Sequence, residues 1–178
     1  MSEFLDHMKR WISYDAERDF YCKHFPSLAE NAALTLRPMR KADLGEVVLI
    51  EQQAYTHPWD AATFRDCFKI GYHAFIGEKA GNTVGYGILS VGAGECHLLN
   101  ICVKTDLQGQ GLGRHLLENL IEVATRQRAE TMFLEVRASN RRAVVLYQRA
   151  GFNEIGLRKG YYPADAGRED AIVMARML

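Results

Sequence analysis

From about residue 34 onward the apolar positions change spacing repeatedly, between the period of two that suits a strand and the three-to-four spacing that suits a helix. "LTLRPM" (34–39) alternates like a short strand, and Pro38, with no N–H to give to a ladder, places it at an edge or a strand end. In "KADLGEVVLIEQQAY" (41–55), Leu44, Val47, Val48 and Ala54 fall at helical spacing, and Pro58 is predicted to close that helix. Asp60 is the predicted N-cap of a second helix carrying Phe64 and Phe68. Strands are predicted at "YHAFIGE" (72–78) and "TVGYGILSV" (83–91), joined by a hairpin at Gly81-Asn82. "CHLLNICV" (96–103) reads as a strand that runs into a glycine-rich turn, and Leu116, Leu117, Leu120, Ile121 and Ala124 then mark one face of a helix. The strand "TMFLEVRA" (131–138), the helix "NRRAVVLYQRAGF" with Gly151 as its stop, and two terminal strands near 153–159 and 171–177 complete the chain.

That order, β-α-α-β-β-β-α-β-α-β-β, is neither an alternating doubly wound fold nor a sandwich. It predicts an α/β (α+β) domain with helices on both sides of one mixed sheet. There is no internal repeat and no low-complexity segment.

At 178 residues the chain suits a single domain with a sizeable core. Residues 34–178 carry the periodic pattern, and residues 1–33 form an extension to it. Phe4, Leu5, Met8, Trp11 and Ile12 fall on one face of a short amphipathic helix, which is expected to dock on the domain or on a second copy of the chain, as in a homodimer. The 22 basic and 22 acidic side chains cancel, so nothing favours bulk attraction to nucleic acid or to an anionic membrane, and an acidic ligand needs a local device. Cysteines at 22, 67, 96 and 102 form no C-x-x-C pair, and no histidine stands at ligand spacing, so no zinc site or disulfide framework is written. With no apolar run near the ~20 residues of a membrane span, a cytoplasmic protein is expected.

The local device is "QGQGLG" (108–113). A turn from a strand into a helix exposes the first helical N–H groups, whose partial positive charge favours a phosphate. Gly109, Gly111 and Gly113 remove the β-carbons that would hold a phosphate off the backbone. A P-loop would need G-x-x-x-x-G-K-[ST], which is absent. A dinucleotide fingerprint beginning at Gly109 would want glycine or alanine where Arg114 stands.

Gln108 to Gly113 resembles the Q/R-x-x-G-x-G/A pyrophosphate loop of the GNAT superfamily of acyl-CoA-dependent N-acetyltransferases. Asn140, Ala143, Tyr147, Gly151 and Phe152 are similar to that family's N-x-x-A-x-x-x-Y-x-x-x-G-F segment. Within the family, "HPWDAATF" (57–64), "LNICV", "LEVRASN" and "YYPADAGREDAIVMA" (161–175) resemble the bacterial RimI type, which acetylates the N-terminal alanine of a small-subunit ribosomal protein, the eighteenth. The resemblance covers residues 34–178 and implies the GNAT fold, with a mostly antiparallel sheet of about seven strands. It implies acetyl-CoA as co-substrate, no metal, direct attack in a ternary complex, and the N-terminal peptide of a ribosomal protein as partner.

Residue by residue, the resemblance assigns Glu135 as general base and Tyr147 as the acid that protonates the departing sulfur. Backbone N–H groups of Ile101, Cys102 and Val103 would hold the pantetheine arm and the thioester oxygen. Gln108, Gly109, Gln110, Gly111, Leu112, Gly113 and Arg114 would cradle the pyrophosphate, and Asn140 would touch coenzyme A. Trp59, Tyr161 and Tyr162 would sit on two loops flanking a peptide groove, the second of which, with Glu169 and Asp170, is suited to a positively charged terminus. From the residues alone, Glu135 reads first as a carboxylate at an exposed strand end, paired with an arginine such as Arg137. A tyrosine at the spacing of Tyr147 is more often a core residue with its hydroxyl at the surface, and the groove aromatics have the alternative of capping the core. Acetylation of a lysine or small amine, and non-catalytic acyl-CoA binding, stay open because the coenzyme A half of such a site does not select the acceptor.

Overall fold

The computed structural model describes residues 34–178; the amphipathic helix expected within residues 1–33 lies outside them. Seven strands form one sheet in the order β1-β2-β3-β4-β5-β7-β6: β1 (Thr35–Pro38), β2 (His73–Lys79), β3 (Asn82–Gly92), β4 (Glu95–Val103), β5 (Thr131–Arg137), β6 (Asn153–Ala164) and β7 (Gly167–Met177). Every neighbouring pair is antiparallel except β4 and β5. The four α-helices among the described residues are α1 (Leu44–Ala54), α2 (Ala61–Ile70), α3 (Leu112–Arg126) and α4 (Arg141–Arg149). The element order is the one the periodicity predicts, and the fold class agrees with it.

Two cores sandwich the sheet. Leu116, Leu117, Leu120 and Ala124 of α3 and Tyr147 of α4 pack with Met132, Leu134 and Val136 of β5 on one face. Val47 and Ile50 of α1 and Phe64 and Cys67 of α2 pack with Tyr86, Ile88 and Cys102 on the other. Strand β3 is buried on both sides, and a β-carbon on Gly87 would collide with Leu120, so the bare glycine lets α3 lie close against the sheet.

Three sequence expectations shift in detail. Helix α1 stops at Ala54, ahead of Pro58, because Tyr55 turns extended while its N–H still caps the Glu51 carbonyl at 3.0 Å. The β2–β3 hairpin turns on Ala80-Gly81 (φ 53° and 78°) instead of Gly81-Asn82, with Asn82 already paired to Lys79. The terminal strands run further than their predicted ends. Residues 160–170, read as a loop, extend the β6–β7 hairpin, with a register shift between Arg158 and Tyr162 absorbing the extra residues. Pro163 is tolerated there because β6 is an edge strand. Asp60 caps α2 as predicted, its carboxylate accepting the Thr63 N–H at 2.7 Å, and Gly151 ends α4 at φ 86°. Among the described residues no helix is long and apolar enough to cross a membrane.

Candidate active site

The parallel pairing of β4 with β5 is short. It runs from Glu95↔Thr131 to Leu98↔Leu134 and stops, although β4 continues to Val103 and β5 to Arg137. An extra residue, Leu99, interrupts the β3–β4 register where the two strands part, between Leu98 and Asn100. A bulge bends its strand and re-aims the residues beyond it. The outcome is a fork in the middle of the sheet.

The ladder fixes which backbone groups face that fork. Lys104 N–H donates to the Val84 carbonyl at 2.9 Å, while Val103, Cys102 and Ile101 stand opposite Gly85, Tyr86 and Gly87. Bonded and non-bonded pairs alternate along an antiparallel ladder, so Cys102 bonds back to β3, and Ile101 and Val103 turn their N–H and C=O groups into the fork. Both carbonyls meet side chains there: Tyr55 Oη donates to Ile101 at 3.2 Å and Gln108 Nε2 to Val103 at 3.1 Å. The expected row of donors therefore narrows to the N–H groups of Ile101 and Val103. Cys102 drops out as a correction, because its N–H and C=O turn back to Tyr86 of β3.

Beyond the fork the chain enters the glycine turn. Gly109 (φ 80°) and Gly111 (φ 81°) both occupy the left-handed region, which side chains adopt only with strain. Gly111 is the N-cap of α3 and supplies no side-chain cap. Helix N-termini usually recruit Ser, Thr, Asp or Asn to satisfy their first N–H groups; here no side chain does so. Arg114 and His115 N–H both return to the Gly111 carbonyl, at 3.1 and 3.3 Å, which leaves the Leu112 and Gly113 N–H groups beside the loop amides of Gly109, Gln110 and Gly111. Arg114 spends its guanidinium on Glu118 at 2.7 Å, an exposed pair that separates readily. Gln108 binds the chain's own Val103 carbonyl, so its amide is a clasp between turn and strand.

On the same face, Asn140 caps α4 by accepting the Ala143 N–H at 3.1 Å, which uses its oxygen and leaves its NH₂ group as a donor. Tyr147 sits two turns along α4. It is only 6 % exposed and meets Phe152 edge-on at 5.9 Å. Burial first, then the neighbouring Tyr162 and Cys102, push its pKa well above the ordinary tyrosine value.

Glu135 is the first β5 residue past the end of the β4 pairing. Met132, Leu134 and Val136 are buried beneath α3 and α4, so the period of two turns Glu135 and Arg137 to the opposite face, the one that carries α1 and α2. Glu135 pairs with Arg158 at 3.1 Å and not with Arg137. Arg137 instead stacks over Tyr162 (4.5 Å) and reaches the Glu169 carboxylate at 3.4 Å. Tyr162 Oη donates to the Glu135 carbonyl at 3.0 Å, and its ring meets Tyr161 edge-on at 4.9 Å. Glu169 and Asp170 are already engaged, accepting the Ser139 and Gly160 N–H groups at 2.6 and 2.7 Å. These bonds tie the hairpin to Ser139 and close it across Gly160. Trp59 packs on Phe64 at 5.6 Å and lies partly buried against the core. The α1–α2 loop and the β6–β7 hairpin do meet, since His57 Nε2 lies 3.2 Å from the Asp165 carboxylate, though not aligned as a hydrogen bond.

The fork thus joins two half-sites across the sheet. One face offers an uncapped helix terminus, Asn140 and Tyr147; the other offers Glu135, the two loops and their aromatics. Sequence reasoning missed Tyr55, Glu51 and Arg158. Tyr55 stands two residues before "HPW", but only its 3.2 Å bond to Ile101 marks it. No group of three or more His, Cys, Asp or Glu among the described residues is placed to hold a metal ion.

Comparison with known proteins agrees with this geometry. Residues 44–152 match the Acetyltransferase (GNAT) family. The [Ribosomal protein bS18]-alanine N-acetyltransferase of Escherichia coli (strain K12) is 43 % identical over 141 residues, which cover 79 % of this chain and 95 % of that protein. The crystal structure of the ribosomal-protein-S18-alanine N-acetyltransferase from Escherichia coli superposes with a TM-score of 0.75 at 42 % identity, covering 81 % of this chain and 93 % of that one. The fold is shared with yncA from Salmonella typhimurium, solved with its cofactor acetyl-CoA, at 22 % identity and a TM-score of 0.68, over 83 % of this chain and 95 % of that one. A family match across more than half of the chain, joined to a 43 % identical relative, makes this protein a member of the acetyltransferase (GNAT) family.

Proposed function

We propose that the protein transfers the acetyl group of acetyl-CoA to the N-terminal alanine of ribosomal protein bS18. The observation that carries the acceptor is the 43 % identity to the Escherichia coli bS18-alanine N-acetyltransferase, over a stretch that covers 95 % of that enzyme. The forked sheet supports the chemistry. The uncapped terminus of α3 receives the pyrophosphate of coenzyme A, and the Ile101 and Val103 N–H groups hold the pantetheine arm and the thioester oxygen. An oxyanion donor of that kind is worth roughly 3 kcal/mol.

The acceptor amine enters from the face of α1 and α2, beside Tyr161, Tyr162 and the α1–α2 loop. An α-amine has a pKa of ~8, so a carboxylate suffices to take its proton, directly or through one water. Glu135 is the carboxylate at the fork and fills that role. The nitrogen attacks the thioester carbon, the carbon–sulfur bond breaks, and Tyr147 gives its proton to the departing sulfur. Its raised pKa keeps that proton in place across the working pH range.

Incubation with acetyl-CoA and bS18, followed by mass spectrometry of the product, should place one acetyl group on the N-terminal alanine. Acetylation confined to lysine side chains, or none at all, would reject the acceptor assignment. The donor side has its own test. Acetyl-CoA should raise the unfolding temperature of the native protein by mass action. In Gly111→Val the strain of a β-branched residue at φ 81° should lower the unliganded melting temperature, and the added rise with acetyl-CoA should vanish because the side chain occupies the phosphate cradle. A full ligand-induced rise in that variant would refute the cradle.

A further inference from the structure

Glu51 is the one charged side chain buried among the described residues, at 2 % exposure. No lysine, arginine or histidine among those residues pairs with it. Its partners are neutral donors: the Trp59 backbone N–H at 3.0 Å and the Asn100 amide at 3.4 Å on Oε1, and the Tyr86 hydroxyl on Oε2. A carboxyl group in an apolar core without a cationic partner is a poor device for stability, and an apolar side chain of similar size would serve packing better. The bonds it makes suggest another purpose.

All of them bear on the segment after α1. The Glu51 main-chain carbonyl caps the Tyr55 N–H at 3.0 Å, and its side chain holds the Trp59 N–H, so one residue grips both ends of the turn between Tyr55 and Trp59. The other donors belong to β3 (Tyr86) and to β4 (Asn100), next to Ile101, whose carbonyl receives Tyr55. Phe64 lies between the Trp59 and Tyr86 rings, 5.6 Å from each. The carboxyl group therefore fixes the acceptor-side loop against the strand whose N–H groups line the fork.

We infer that Glu51 is a positioning residue for the acceptor half of the site: it sets the Tyr55–Trp59 loop against β4 so that the amine meets the thioester in register. The inference rests on the reading of this loop as one wall of the acceptor groove. Glutamine at 51 offers one acceptor oxygen where the carboxyl group has two, and it adds an NH₂ group among three existing donors, so the grip on Trp59 weakens.

The test uses the full-length chain carrying Trp11→Phe, which leaves Trp59 as the only tryptophan. Glu51→Gln should move Trp59 emission to longer wavelength and raise its quenching by acrylamide. It should also raise KM for an alanine-starting peptide by about tenfold while the acetyl-CoA Kd stays within about twofold. Tyr86→Phe, which removes one anchor and keeps the ring against Phe64, should shift both readouts in the same direction by less. It decides the matter if Glu51→Gln does not fold. Unchanged emission and KM in the variants, or acetyl-CoA affinity lost in step with the peptide, would overturn the positioning role, the second outcome marking a general loss of structure. Wild-type protein that acetylates another amine and no alanine peptide would instead reject the proposed acceptor. KM would then be read with that amine, and Trp59 emission still decides the role of Glu51.

Discussion

Replacing Glu135 by glutamine is expected to lower kcat by about 10² to 10⁴, the usual worth of a positioned base, with acetyl-CoA affinity little changed. Glutamine keeps the size of the side chain and can still face Arg158, but it takes no proton from an ammonium. The pH profile separates this from a packing defect. The wild-type rate should fall on the acid side as the amine becomes protonated. In the variant the loss should be greatest near neutrality and shrink as pH rises past ~8, where the amine supplies its own free base. Initial rates with an alanine-starting peptide at several pH values, beside calorimetric binding of acetyl-CoA, are the measurements. Near-native turnover at neutral pH would show that the amine loses its proton elsewhere.

Tyr147→Phe should give the second-largest loss, about 10²-fold in kcat, at the lower end of the general-acid range because a thiolate leaves more readily than an alkoxide. Its pH behaviour should contrast with that of Glu135→Gln. Burial holds the Tyr147 hydroxyl protonated well beyond the ordinary tyrosine value, so removing it should depress the rate by the same factor from about pH 6 to 9 and leave the limbs of the profile in place. The ring keeps its contact with Phe152, 5.9 Å away, so the melting temperature should move little. A pH-dependent loss, or a fall in stability as large as the fall in rate, would argue that Tyr147 is only a core residue.

Both assignments began as residues in short strings, and the structure treats them differently. Tyr147 is the buried aromatic that periodicity expects, and its proposed role as the acid adds a task for its hydroxyl. The two readings do not compete, because a tyrosine can bury its ring and present its oxygen. For Glu135 the expected arginine partner was within two residues in sequence, whereas the actual one, Arg158, comes from an edge strand 23 positions later. Local sequence cannot foresee that pairing. It depends on β7 lying between β5 and β6 and on the register slip near Arg158.

What the sequence determined by itself was whatever is encoded within one element or one turn. The order of strands and helices came from the two apolar periods, the N-cap at Asp60 and the stop at Gly151 from residue chemistry, and the tight turn before α3 from glycines whose φ is positive at 109 and 111. Tertiary structure alone decided the fork between β4 and β5. It also decided that Cys102 turns away from it, that Glu169 and Asp170 tie down the hairpin, and that Glu51 grips the α1–α2 loop from inside the core. The reason is physical: periodicity reports which face of an element is buried, whereas strand register, bulges and the partners of a buried polar group are fixed by residues far away in the chain.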